Sequence, residues 1–115
     1  MSAREPNYLI RSSSSGTVGR SLNAIRNHHV VIDSPSIGEA ITSGEAFLSG
    51  VSACAVTLTE GAARELGIPL EHTEVTLSGY RAPDRPAFER VEMRFVFTGP
   101  TQEQAETLVN RYKDG

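Results

Sequence analysis

The sequence contains little cysteine and no tryptophan. One cysteine, Cys54, occurs in 115 residues. A single cysteine excludes an intramolecular disulfide, and with three histidines it makes no obvious closed zinc site. This usage is typical of a reducing compartment, so we expect a cytoplasmic protein. No metal and no cofactor is predicted.

The sequence also lacks runs of positively charged residues and segments typical of a signal peptide. The formal net charge is −3, and no run of Lys and Arg supplies the electrostatic footprint of a nucleic-acid binder. The N-terminal "MSAREPNYLI" has no apolar core of a signal peptide, and we expect no segment of membrane-spanning length. The chain is therefore expected to bind neither nucleic acid nor membrane.

The length of 115 residues predicts a single domain, 1–115, with one modest core. Apolar residues make up 38% of the chain, and no tryptophan adds to them. This composition favours a core that is completed by pairing with a second copy.

The first forty residues are typical of extended structure broken by turns. "YLIR" is a candidate short strand, and "SSSSG" is expected to be a hairpin tip. "TVGRSLNAIR" has no clear pattern, whereas "HHVVIDSP" predicts a strand that ends before Pro35.

A long helix is predicted from about Ser43 to Leu66. Thr42 and Glu45 have the spacing of a capping box, and Gly67 is a suitable C-terminal cap. Apolar residues surround most of the helix, so we expect it to be central and buried on more than one side. One predicted stripe comprises Phe47, Val51, Cys54, Leu58 and Ala62.

Two strands and a second helix follow. "EVTLSGY" and "FERVEMRFVF" alternate apolar and polar residues, as half-buried antiparallel strands do. Thr101 and Gln104 form a second capping-box pattern before a helix with an apolar stripe. The order predicts an α+β fold, with an antiparallel sheet, a long central helix and a second helix.

Cys54 allows two interpretations. It is either a small apolar residue packed in a buried helix or a reactive thiol. The second interpretation needs a nearby cation, because an apolar environment disfavours the thiolate. Glu45 is a candidate to hold an arginine there, although capping alone explains it. Nine residues separate Glu45 from Cys54, which turns them to opposite sides of a regular helix.

In the simplest interpretation, each arginine of the N-terminal strands is solvated. These residues are Arg11, Arg20 and Arg26. Asp33 is most simply a turn former before Ser-Pro.

The segment "SGEAFLSGVSACAVTLTEGAARELGIPLEHTEVTLSG" resembles the OsmC/Ohr family, the osmotically inducible and organic hydroperoxide resistance proteins. "NHHVVIDSPSIG", "PAFERVEMRFVFTG" and "TQEQAETLVNRYK" are similar to other segments of that family. The resemblance covers roughly residues 20 to 113.

The resemblance implies an intertwined α+β homodimer with active sites at the subunit interface. In the family's peroxidases, one cysteine attacks the hydroperoxide, an arginine stabilises its thiolate and a glutamate orients the arginine. Cys54 matches the attacking cysteine, Glu45 approximately matches the glutamate, and Arg26, followed by Arg20, is the best match for the arginine. The implied partners are an organic hydroperoxide and an external thiol or dithiol reductant.

The chain departs from the family pattern at its C-terminal end. The family's second cysteine and closing strand would follow Gly115, so we expect no internal resolving cysteine. The implied function is thiol-dependent reduction of organic hydroperoxides in the oxidative stress response. The alternatives are a catalytically inactive OsmC-fold dimer with a binding or structural role, and an unrelated small α+β ligand-binding or regulatory domain.

Overall fold

A computed structural model describes residues 4–115. It contains five strands and two helices in the described part: β1 Ile10–Ser14, β2 Arg20–Ile25, β3 His28–Asp33, α1 Ser43–Leu66, β4 His72–Arg81, β5 Phe88–Thr98 and α2 Gln102–Asp114. The predicted α+β class with two helices is confirmed. Where one antiparallel sheet was predicted, the strands form a three-stranded and a two-stranded antiparallel sheet. The chain divides into a first compact unit through Phe47 and a second from Leu48 to Gly115.

The first unit is an antiparallel sheet in the order β1-β2-β3. The strand predicted at "YLIR" begins two residues later and includes most of the serine run, so the hairpin tip lies beyond it. The stretch without a clear pattern contains β2. A two-residue turn at Arg26 and Asn27 joins β2 to β3, and Arg26 has a φ of 54°. Tight hairpin turns require such positive φ values.

Helix α1 has the predicted bounds, Ser43–Leu66. The capping box is formed: the Glu45 backbone N–H donates to Thr42 Oγ1 at 3.2 Å, and the Thr42 N–H donates to Glu45 Oε1 at 2.8 Å. Gly67 has a φ of 68°, and the N–H of Ile68 donates to the Ala63 carbonyl at 2.9 Å. This arrangement satisfies carbonyls at the C-terminal end of the helix.

The second unit contains most of α1 together with β4, β5 and α2. Strands β4 and β5 pair antiparallel with Val75 opposite Phe95 and Leu77 opposite Met93. The core is formed where α1 and α2 meet the sheet, around the buried residues Ala62, Ala63 and Leu108, with Ile68, Leu70 and Phe97 against it. The second predicted capping box, Thr101 with Gln104, is also present.

The buried side of α1 differs from the predicted stripe. The buried residues are Ala55, Thr59, Ala62 and Ala63. Of the predicted stripe, Phe47, Cys54 and Leu58 are exposed. The small side chains allow α1 to pack closely in the second unit, which leaves the bulkier apolar residues on the other side of the helix.

Helix α1 also corrects the expectation that no segment reaches membrane-spanning length. It has 24 residues, and an 18-residue window reaches a mean hydropathy of 1.3. The central helix of a soluble protein meets the same criteria, so length and composition alone are weak evidence for a membrane span.

Candidate active site

The thiol of Cys54 is exposed midway along α1. The next residue, Ala55, is fully buried, whereas Leu58, one turn further on, is 46% exposed. At Gly50 and Gly61 an added Cβ would meet no atom within 4 Å. With a rotation of about 100° per residue, Gly50, Cys54, Leu58 and Gly61 share one side of the helix. We call this set the exposed α1 face.

Glu45 lies in the first turn of α1, where its carboxylate completes the capping box with Thr42. The carboxylate accepts a hydrogen bond from a backbone N–H that has no partner within the helix. Among residues 4–115, the contact of the Glu45 carboxylate is this capping contact, and no arginine bonds to it.

Arg26 occupies the turn between β2 and β3. Within residues 4–47 its side chain makes no ion pair or hydrogen bond. The role that the resemblance gives to Arg26 remains a prediction.

Arg20 is the arginine with a defined environment in the first unit. Its Nε donates to Asp33 Oδ1 at 2.7 Å, and its Nη2 donates to Asp33 Oδ2 at 2.9 Å. The same Nη2 donates to Glu39 Oε1 at 2.7 Å. A two-point contact between guanidinium and carboxylate fixes the orientation of the guanidinium plane.

Asp33, at the end of β3, is the centre of this cluster. Its side chain is completely buried, and Oδ2 also accepts the backbone N–H groups of Glu39 at 3.1 Å and Ala40 at 2.8 Å. Its own N–H donates to the Ile41 carbonyl at 2.9 Å. Asp33 therefore holds the segment that leads into α1, which is more than the simple turn predicted from the sequence.

Charge in the cluster is stabilised by these contacts. The hydrogen bonds from Arg20, and next the one from the Ala40 N–H, hold the pKa of the Asp33 carboxyl well below its usual range. In turn, the hydrogen bond to Asp33 raises the pKa of Arg20 above its ordinary value. The pair is charged throughout the neutral range.

From the sequence, Arg20 was expected to be solvated or to be the second candidate for the arginine that the resemblance implies, and Asp33 to have a local role. The pair itself was not predicted. The feature that would have predicted the pair is the two-residue turn at Arg26 and Asn27, because it sets the register of β2 and β3. Counting outward from that turn pairs Ile25 with His28 and, at the other end of the strands, Arg20 with Asp33.

The fold is that of OsmC-like proteins. The structure superimposes on an OsmC-like protein from Mycoplasma pneumoniae with a TM-score of 0.84 and 12% identity, covering 96% of this chain and 83% of that chain. An OsmC-like protein from Vibrio cholerae superimposes with a TM-score of 0.74 and 12% identity, covering 96% of this chain and 89% of that chain. An organic hydroperoxide resistance protein OsmC from Legionella pneumophila superimposes with a TM-score of 0.74 and 21% identity, covering 97% of this chain and 85% of that chain.

The family model described as OsmC-like protein matches residues 36–114, which is more than half of the chain. The chain belongs to the OsmC-like protein family. No curated protein matches the sequence.

Proposed function

We propose that the protein is a thiol-dependent reductase of organic hydroperoxides in the oxidative stress response, with Cys54 as the attacking thiol. The carrying observation is the exposure of Cys54 on the exposed α1 face. A cysteine that served only as packing would be buried, as the neighbouring Ala55 is. Membership of the OsmC-like family supports a role in redox or peroxide-stress chemistry.

The proposed reaction begins with attack of the Cys54 thiolate on one peroxide oxygen. The O–O bond breaks, the hydroperoxide is reduced to an alcohol that takes up a proton, and the sulfur becomes a sulfenic acid. A thiol of the external reductant then condenses with the sulfenic acid, releasing water and forming a mixed disulfide. A second thiol breaks that disulfide, which regenerates Cys54 and leaves the reductant oxidised.

The external thiol is required because Cys54 is the one cysteine in this sequence. A sulfenic acid without a thiol partner proceeds to irreversible oxidation when peroxide is in excess. A dithiol suits the second half of the cycle, since its second sulfur displaces Cys54 intramolecularly.

The substrate class follows from the surroundings of the thiol. Leu58 and Val51 lie one turn from Cys54, and the exposed α1 face carries no charged residue over this stretch. An apolar surface favours alkyl and aryl hydroperoxides over hydrogen peroxide through burial of the organic group.

The proposal includes a homodimer in which the exposed α1 face is covered by the second copy. Leu58, a member of this face, is 46% exposed in the single chain. Gly50 and Gly61 leave room for the side chains of a neighbour. Burial of such apolar surface against a partner stabilises the dimer, because it removes the surface from water.

The test is steady-state reduction of cumene hydroperoxide by the purified protein with dihydrolipoamide as the dithiol. The variant Cys54→Ser should lose the activity completely. Ala53→Ser, which adds a hydroxyl at the adjacent exposed position, is the matched control and should retain it.

Equal peroxide consumption by the wild-type protein and Cys54→Ser would overturn the proposal. The inactive alternative, an OsmC-fold dimer with a binding or structural role, would then describe the protein better.

A further inference from the structure

An elongated cavity lies between strand β5 and helix α2, entirely within the second unit. Its volume is about 600 Å³, which is in the range of cavities that bind small organic molecules. The part of α2 that lines it runs from Gln102 to Lys113, a length of about 17 Å at a rise of 1.5 Å per residue. Among the described residues no residue of α1 lines the cavity, so it is separate from Cys54.

The floor of the cavity is apolar. Phe95 and Phe97 form it on the side of β5, with ring centroids 5.6 Å apart and an interplanar angle of 24°. Ala105 and Val109 form it on the side of α2, one turn apart on the same side of the helix. All four residues are half-buried, so an apolar ligand in the cavity would cover surface that is otherwise in contact with water.

Two cations lie at one end of the cavity. The ring centroids of Phe95 and Tyr112 are 5.6 Å apart, which places the last turn of α2 beside the middle of β5. Arg94 and Lys113 are the sequence neighbours of these two aromatic residues, and both line the cavity. Both are exposed, and neither makes an ion pair in the part of the chain that the structure describes. We call this the cationic end.

The opposite end of the cavity, at Thr101, has no cation in its lining. The capping box formed by Thr101 already supplies acceptors to the first turn of α2. Glu106, on the third side of the lining, is the one carboxylate against the two cations, so the charged residues of the lining have a net charge of +1. Charge complementarity therefore favours a ligand with one negative charge, placed at the cationic end.

We infer that the cavity between β5 and α2 binds the anion of a linear fatty acid. Its carboxylate lies between Arg94 and Lys113, where it accepts charge-assisted hydrogen bonds from both side chains. Its hydrocarbon chain follows the floor toward Thr101 and covers Phe95 and Phe97. This binding site goes beyond the proposed function and does not depend on it.

The experiment is isothermal titration calorimetry of the full chain with dodecanoate, at concentrations at which dodecanoate forms no micelles. We expect one molecule to bind per chain. Decanoate, which is two methylene groups shorter, should bind roughly tenfold more weakly, because burial of each methylene changes the affinity about fourfold. Dodecyltrimethylammonium, which has a hydrocarbon chain of the same length and a cationic head group, should not bind.

Charge variants test the cationic end. Arg94→Gln and Lys113→Gln should each lower the affinity for dodecanoate about tenfold, since each removes a charge-assisted hydrogen bond. Glu106→Gln should raise the affinity about twofold, because it removes the negative charge from the lining. Arg90→Gln is the matched control: Arg90 lies on the same strand over the ring of Tyr80, outside the cavity lining, and its loss should leave the affinity unchanged.

Ala105→Trp tests the floor, because the indole fills the cavity without changing its charge. This variant should not bind dodecanoate, and its circular dichroism shows whether it folds. If it does not fold, the charge variants decide, since Arg94 and Lys113 are exposed. Cys54→Ser should bind dodecanoate as the wild-type protein does, because Cys54 lies outside the cavity lining.

Three results would overturn the inference. The first is a wild-type protein that does not bind dodecanoate. The second is equal binding of dodecyltrimethylammonium, or an affinity that is unchanged in both Arg94→Gln and Lys113→Gln, because the ligand would then adsorb to apolar surface elsewhere. The third is self-association of the wild-type protein that Ala105→Trp weakens while dodecanoate does not bind, which would assign the cavity to a second copy of the chain.

Discussion

Arg20 and Asp33 face each other across strands β2 and β3 and are joined by two hydrogen bonds, Nε to Oδ1 at 2.7 Å and Nη2 to Oδ2 at 2.9 Å. The pair closes the end of the first sheet at the point where the chain turns toward α1. Its buried carboxylate makes the stability of the first unit depend on pH in a definite direction.

Because the pKa of the Asp33 carboxyl is lowered by folding, the pair stabilises the folded state above the ordinary pKa of an aspartate, about 3.9. That contribution is lost as the pH falls through the lower folded-state pKa. We expect the urea midpoint of the wild-type protein to fall steeply below about pH 4. Asp33→Asn should be less stable at pH 7 and show a flatter acid limb. Parallel pH profiles for the two proteins would contradict this assignment.

Gly99, between β5 and α2, is predicted to be intolerant of any side chain. Its φ is 117°, and an added Cβ would lie 2.5 Å from the Pro69 carbonyl oxygen. Gly99→Ala should destabilise the protein by about 1–3 kcal/mol in urea unfolding. Gly61→Ala is the matched control, since the space around Gly61 is open and alanine favours helix. Equal stability of the two variants would refute the conformational argument.

Thr101 is predicted to contribute to stability through the capping box of α2. Its Oγ1 accepts the Gln104 N–H at 3.2 Å, and Thr101→Ala should cost about 1 kcal/mol of unfolding free energy. Thr107 provides the comparison, because its hydroxyl bonds the Glu103 carbonyl within the helix and satisfies no terminal donor. Thr107→Ala should be neutral or slightly stabilising. A larger loss for Thr107→Ala would contradict the role of the cap.

The proposed homodimer predicts a specific effect of Gly50→Leu. Nothing lies within 4 Å of a Cβ at this position, so leucine fits the single chain and favours the helix. If a second copy covers the exposed α1 face, the same leucine side chain overpacks the interface and weakens dimerisation by roughly 1–3 kcal/mol. Analytical ultracentrifugation should show a raised dimer dissociation constant for Gly50→Leu and a smaller change for Gly50→Ala. An unchanged dimer would place the interface elsewhere.

Much of the fold follows from local sequence signals. The bounds of α1 were predictable because Thr42 with Glu45 and Gly67 mark its two ends by hydrogen bonding and backbone conformation. Strands β4 and β5 were predictable because period-two alternation reflects a sheet with one covered face. The α+β class follows from these elements.

The first sheet was harder to predict for a physical reason. Strand β1 has the sequence IRSSS, whose serines resemble a loop, and its pairing with β2 compensates for their low strand propensity. The buried side of α1 was missed because apolar residues surround the helix, so periodicity could not select the side with Ala55 and Thr59.

The candidate site was predictable only in part. Cys54 was a candidate as the one cysteine of the sequence, and the resemblance gave it the role of attacking thiol. Its exposure is a property of the folded chain. The contact of Arg20 with Asp33 depends on the register of the β2–β3 hairpin, and the contacts of Asp33 with Glu39 and Ala40 depend on the path of the following loop. None of these is encoded in the spacing of one motif.

The central claim, that Cys54 is an attacking thiol, is tested most directly by intact-mass spectrometry of the reduced protein after brief exposure to cumene hydroperoxide in the presence of dimedone. We expect a stoichiometric dimedone adduct on Cys54, formed faster than on free cysteine, because dimedone traps the sulfenic acid. If no adduct forms under conditions that oxidise free cysteine, Cys54 is not an attacking thiol and is an unreactive surface residue of the α1 helix.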